Sequence, residues 1–166
     1  AESCITELYY AGTLQGSEKN GKLYYRPDAS MTRQEFIVAM MRYLGTDLSA
    51  YASVQLPFDD SSSIASWAKS AMQAAYQLGK LLAKPGSTIS RQEAMTILSR
   101  TKDFADADLN VLSAFSDSGK IADWARTALA QMTQQKIISG SKGKLNPTGK
   151  VTRAEVAKML YMLSET

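Results

Sequence analysis

Two segments of this chain carry the same residues at the same offsets. Residues 58–68 read FDDSSSIASWA, residues 115–125 read FSDSGKIADWA, and the two hold both tryptophans. A second motif occurs three times, as Thr32-Arg33-Gln34-Glu35, Ser90-Arg91-Gln92-Glu93 and Thr152-Arg153-Ala154-Glu155. Pro27, Pro85 and Pro147 each stand six residues before the motif arginine. The arginines are 58 and 62 residues apart (33 to 91, 91 to 153), so the chain of 166 residues is read as about three tandem units. We place them at 1–46, 47–102 and 103–166. The first lacks the Phe/Trp half. Counting back from Gly12, which matches Gly79, its tryptophan falls just before Ala1, so the chain is expected to begin inside the first repeat.

Each full unit reads as helix, loop, helix. The first helix is expected to begin near Ser66 or Asp123, with an apolar stripe of Trp67, Ala71, Ala74, Ala75 and Leu78 in unit two and Trp124, Ala128 and Met132 in unit three. A loop with Gly, Lys and Pro follows, long in unit three (139–147) and short in unit two (82–86). The second helix starts at the Thr or Ser of the motif. Phe36, Ala39, Met40 and Tyr43, and likewise Val156, Met159, Leu160 and Leu163, recur at helical spacing and must pack on other helices. Linkers fall near 45–57 and 101–114. The second carries Asp103, Asp106 and Asp108, spaced too irregularly for a calcium loop.

The pattern Ser/Thr-x-x-Glu is a capping box, which accounts for Thr32, Glu35, Ser90, Glu93, Thr152 and Glu155 as helix-start residues. It does not account for the arginines. A cation in the first turn opposes the helix dipole, yet Arg33, Arg91 and Arg153 occupy that place three times. Beside free backbone N–H groups, a guanidinium forms an anion site and matches a carboxylate bidentately. The alternative is a structural salt bridge to an acid such as Asp60 or Asp117. Trp67 and Trp124 lead apolar stripes, which suggests core packing. Sugar stacking is the functional alternative, since an aromatic face suits the apolar face of a sugar ring. Asp60 and Asp117 are most simply turn or cap residues, with hydroxyl recognition of a sugar as the other reading. Cys4 and the methionines read as packing residues rather than a metal site.

The chain has no histidine and one cysteine. A Ser-His-Asp or Cys-His mechanism, a Cys-rich zinc site and an internal disulfide are therefore excluded. No acid pair stands out beyond capping positions, so a carboxylate glycan hydrolase is disfavoured. One recurrent arginine per unit, without a recognition helix rich in Arg, Lys, Asn and Gln, argues against a DNA reader. A net charge of +3 permits an anionic partner without demanding nucleic acid. No apolar run approaches the length of a membrane span, and no signal peptide is visible at Ala1.

The ordered combination of F-x-D…W-A, a Gly-containing turn, a proline six before the arginine, and T-R-A-E resembles the S-layer homology repeat, with residues 115–163 as its strongest copy. The resemblance implies an all-α fold of three helix-loop-helix repeats in a pseudo-threefold, three-pronged arrangement, acting as a monomer. It implies non-covalent anchoring of an extracellular protein at the cell wall or S-layer. The expected ligand is an anionic, pyruvylated secondary cell wall polysaccharide held in grooves between repeats, with no cofactor and no catalysis. Carried over to this sequence, the groove residues are Arg33, Arg91 and Arg153, with Trp67, Trp124, Asp60 and Asp117 as candidate sugar contacts. Unit one would complete the Arg153 groove, whereas Arg33 and Arg91 would face the full units two and three. Gln34 and Gln92 depart from the alanine usual after the arginine, as Ser90 departs from threonine. The competing reading is a structural assembly module whose arginines form intrachain salt bridges.

Overall fold

A computed structural model describes residues 2–79 and 84–166, and the start of the short loop of unit two lies outside the described residues. The fold is mostly helical: α1 Glu2–Tyr10, α2 Arg33–Tyr43, α3 Lys69–Gln77, α4 Arg91–Ser99, α5 Asp123–Gln134 and α6 Arg153–Ser164. Three capping boxes start α2, α4 and α6. Thr32, Ser90 and Thr152 each accept from the amide of the glutamate three residues on, and that glutamate accepts from the cap amide. Each such cap contributes about 1 kcal/mol to its helix. The linkers are ordered by the same kind of chemistry. Asp47 caps a 3-10 turn at Leu48–Tyr51, and Asp108 caps another at Leu109–Ala114.

The helices pack across unit boundaries. The second helix of each unit lies against the first helix of the next: α2 on α3, α4 on α5, and α6 back on α1. Each unit therefore carries two apolar stripes that face different neighbours. Phe36, Met40, Met72, Met95, Leu98, Leu129 and Leu160 are buried in one continuous core. Seven of the eight methionines are buried, which makes them packing residues. Cys4 is half-buried and unpaired.

The three loops meet in a closed ring of backbone hydrogen bonds. The Met31 amide donates to Val151 O (3.0 Å), Val151 to Ile89 O (3.1 Å), and Ile89 to Met31 O (3.0 Å). All three side chains are buried. The residue before each loop proline (Arg26, Lys84, Asn146) takes a left-handed conformation, with φ of 56°, 65° and 51°. For a non-glycine residue this is uncommon, and its recurrence marks a backbone shape that the ring demands.

Two features differ from the sequence reading. A β-hairpin, β1 Ser17–Lys19 with β2 Lys22–Tyr24, elaborates the loop of unit one. It turns on Asn20-Gly21, whose positive φ values of 53° and 71° suit a tight hairpin turn. The first-helix stripe also shifts. Ala68, Ala71, Met72, Ala74 and Ala75 are buried, whereas Trp67 and Leu78 are exposed. Trp67 lies in the 3-10 turn Ser66–Ala68 ahead of α3, Trp124 lies in the first turn of α5, and both stand off the buried face.

The ring amides are expected to exchange with solvent only through global unfolding. Hydrogen exchange by NMR should place Met31, Ile89 and Val151 among the slowest amides, level with those of the α4 core. Exchange as fast as that of the hairpin would contradict the ring.

Candidate functional site

The backbone at each motif is fully engaged. The arginine amides donate to the neighbouring loop: Arg33 N to Ser87 O, Arg91 N to Gly149 O, and Arg153 N to Ala29 O, all at 2.9 Å. The next amides, of Gln34, Gln92 and Ala154, donate to the carbonyls of Pro85, Pro147 and Pro27 at 3.0, 2.8 and 2.9 Å. The third is taken by the cap hydroxyl. The expected free N–H groups are therefore absent, because the proline loops of the adjacent unit occupy them. An anion meeting these helix starts would meet side chains.

The three arginines have different surroundings. Arg33 forms an ion pair with Glu93 of the next unit, and its side chain is 13% exposed. Arg33 Nε is buried without a hydrogen-bond partner among the described residues. Arg91 pairs with Glu155 at 2.5 Å and is 11% exposed, with its Nε donating to Leu145 O at 2.9 Å. The bridges thus run to capping glutamates, not to Asp60 or Asp117, because the ring sets each arginine beside the helix start of the following unit. Among the described residues no ion pair involves Arg153. Its Nε donates to Tyr25 O (2.8 Å), an Nη donates to Gln15 O (2.7 Å), and the guanidinium sits 4.7 Å from the Tyr25 ring centroid. The Tyr25 hydroxyl donates in return to Arg153 O at 2.9 Å. Burial pushes the Tyr25 hydroxyl up to about 12, against the lowering pull of Arg153, so it stays protonated and able to donate.

A cleft of about 470 Å³ opens at Arg153. Arg153 comes from unit three, one wall from unit one (Gln15, Tyr25, Arg26, Arg42), and Trp67 from unit two. Three arginines line it against one acid, Glu35, whose carboxylate is held by the Thr32 amide and hydroxyl. A second cleft of about 500 Å³ lies at Arg91, where Lys142, Lys144 and Lys158 add positive charge. Gly140 in its wall takes a φ of 67° where a Cβ would lie 2.6 Å from Lys144 O, so only glycine fits.

Trp67 and Trp124 are 58% and 56% exposed, which overturns the core-packing reading. Asp117 is 9% exposed and accepts from the Leu145 and Asn146 amides at 2.9 and 2.8 Å. Burial raises its carboxyl, but those bonds, its own amide and the Lys120 charge outweigh burial and leave it below the usual carboxylate range. Asp117 therefore braces the loop that carries Leu145, and both its oxygens are occupied. Asp60 is half-buried at the start of the Ser61–Ser63 turn, with no side-chain cap bond there and its carbonyl accepting from Ser63. Tyr25, Gln15, Arg26 and Arg42 were not singled out from sequence. Tyr25 does stand two residues before its loop proline, as Leu145 does, which gave a positional signal without a chemical one.

The family model described as "S-layer homology domain" matches residues 57–96 and 114–157, about half of the chain, and this chain belongs to that family. Membership gives it a general role in anchoring at the bacterial cell surface. Unit one lies outside those two matches, yet it shares the capping box and the ring bonds. The chain is similar to an amylopullulanase of Thermoanaerobacterium thermosulfurigenes (30% identical, covering 85% of this chain and 8% of the relative). It is also similar to exoglucanase XynX of Acetivibrio thermocellus (29%, covering 85% and 13%) and to an endoglucanase of Bacillus sp. strain KSM-635 (26%, covering 96% and 17%). It spans less than a fifth of the length of each. Among the described residues no helix is long and apolar enough to cross a membrane, and no group of three or more His, Cys, Asp or Glu could hold a metal ion.

Burial raises the Glu93 carboxyl, but bonds from the Ser90 amide and hydroxyl and from Arg33 leave it below its ordinary value. A carboxyl depressed in the folded state contributes stability above its unfolded pKa and loses it as pH falls through the folded value. Thermal melts should show the midpoint dropping as pH is lowered from about 5 to 3. Glu93→Gln should melt lower at pH 7 and show a shallower acid slope. An unchanged slope would remove this ion pair from the account of stability.

Proposed function

We propose that this chain anchors an extracellular protein by binding an anionic cell wall polysaccharide in clefts between its repeats, with the Arg153 cleft as the principal site. The observation that carries this is the state of Arg153. Carbonyl oxygens orient its guanidinium without neutralising its charge, and the Tyr25 ring braces it. A carboxylate on a sugar, such as that of a pyruvate ketal, matches the planar fork of a guanidinium. Arg26 and Arg42 supply further positive potential, and the exposed face of Trp67 offers a stacking surface. The cleft volume falls within the range of small-ligand sites, which suits one or two sugar rings.

The cyclic order of Arg from one unit, wall from the next and Trp from the third assigns Trp124 to the Arg33 cleft. At Arg33 and Arg91 a ligand carboxylate has to compete with Glu93 or Glu155. These two arginines favour the second reading, intrachain bridges that hold the repeats together, and both roles coexist in one chain. The units form one pseudo-threefold monomer, supported by the closed hydrogen-bond ring. The chain acts without catalysis or cofactor, at the cell wall or S-layer.

Isothermal titration with purified acidic wall polymer tests this. Arg153→Ala should weaken binding about 10- to 100-fold, the range for a charged hydrogen bond. Arg33→Ala and Arg91→Ala should act mainly on the melting midpoint. Wild-type affinity in Arg153→Ala would overturn the proposal.

A further inference from the structure

Gln34 and Gln92 occupy the position after the motif arginine, and both side chains reach out of their own unit. Gln34 Oε1 accepts from the Ala65 amide at 3.0 Å, and Gln92 Oε1 accepts from the Ala122 amide at 3.0 Å. Ala65 caps the 3-10 turn that leads into α3, Ala122 caps α5 itself, and neither start has a side-chain cap of its own. Their backbones agree closely, with φ and ψ of −63° and 144° at Ala65 and −63° and 145° at Ala122. In an ordinary capping box the third helical residue reaches back to its own cap amide. Here a glutamine of the preceding unit does so instead. Two residues beyond each cap amide stand Trp67 and Trp124. Gln92 is only 9% exposed, so its amide group is committed to this contact.

We infer that Gln34 and Gln92 are positioning residues that set the exposed tryptophan of the following unit, and through it the sugar-stacking wall of a cleft. The link is shortest for Gln34. It fixes the Ala65 amide, Ala65 starts the turn carrying Trp67, and Trp67 lines the Arg153 cleft. The equivalent place in unit three holds Ala154, which has no side-chain acceptor, so this control is specific to units one and two. Its consequence for affinity rests on the carbohydrate reading above; its consequence for tryptophan geometry does not.

Single-tryptophan backgrounds separate the effects. In Trp124→Phe, which leaves Trp67 as the reporter, Gln34→Ala should lower tryptophan anisotropy and raise acrylamide quenching about twofold. Gln34→Glu, which keeps an acceptor, should restore the parent values. In Trp67→Phe, which leaves Trp124, Gln34→Ala should change nothing, whereas Gln92→Ala should loosen Trp124. With purified acidic wall polymer, Gln34→Ala should weaken binding about three- to tenfold, and Gln34→Glu should recover most of it. Unchanged Trp67 signals in Gln34→Ala, or equal changes at both tryptophans, would overturn the inference. Wild-type protein that ignores the polymer would sink the carbohydrate reading alone, since the fluorescence arms still decide whether each glutamine holds its tryptophan.

Discussion

The fold depends on three backbone hydrogen bonds among Met31, Ile89 and Val151. They lie in the interior, where an unpaired amide or carbonyl is costly, and each is satisfied by a different unit. Because the ring is made of main chain, it asks only for a buried apolar side chain at each corner. That is why Met, Ile and Val can alternate there. The ring also requires the left-handed turn before each proline, and the bonds that close it hold that strain in place. Outside the ring, loops can differ in length without disturbing the centre, as surface connections generally can.

The same geometry decides what chemistry is left at each helix start. Loop carbonyls and cap hydroxyls take the first-turn amides, so any affinity for an acid must come from the guanidinium. Two guanidiniums are then met by the capping glutamate of the next unit. Glu93 and Glu155 thus serve two purposes, one oxygen on the cap amide and the other on the arginine. Arg153 escapes this arrangement because the wall it faces belongs to unit one. The Tyr25 carbonyl takes Nε as Leu145 O does at Arg91, but Gln15, just before the hairpin, presents a further carbonyl that takes an Nη in place of a carboxylate. The asymmetry among three near-equal sites therefore arises from one elaborated loop.

Much of this was legible in the residues. The repeat spacing, the capping boxes and the family resemblance follow from local patterns, and the structure carries a capping box at each motif. The hairpin has a local signal as well, Asn20-Gly21, which lies outside the recurrent motifs. What local patterns could not provide is which helix packs on which. Nothing in a single stripe says that α2 meets α3 and that α6 returns to α1. The tryptophans show the limit most clearly. Both stand where a first helix begins, Trp67 in a 3-10 turn and Trp124 in the first turn of α5, and there periodicity alone places the side chain on the wrong side. Gln34 and Gln92 looked like departures from a pattern because their partners lie about thirty residues on, in another unit.

Net charge is a poor guide to what such a chain attracts. The overall value is only +3, yet the Arg153 cleft gathers three arginines against one acid, and the Arg91 cleft adds three lysines around its ion pair. Exposed charges on opposite sides of the molecule are screened from each other beyond roughly 8 Å at physiological salt. A ligand therefore responds to the local group. Within the Arg153 cleft, the guanidinium fixed by carbonyls, that of Arg153, needs no reorganisation when an acid arrives, which lowers the cost of binding. The tryptophan supplies what charge cannot, a flat apolar face that prefers a sugar ring to a bare ion. On the carbohydrate reading proposed above, selectivity for an acidic sugar would follow from holding these two surfaces at a fixed separation. In this molecule that separation is set where three units contribute one element each.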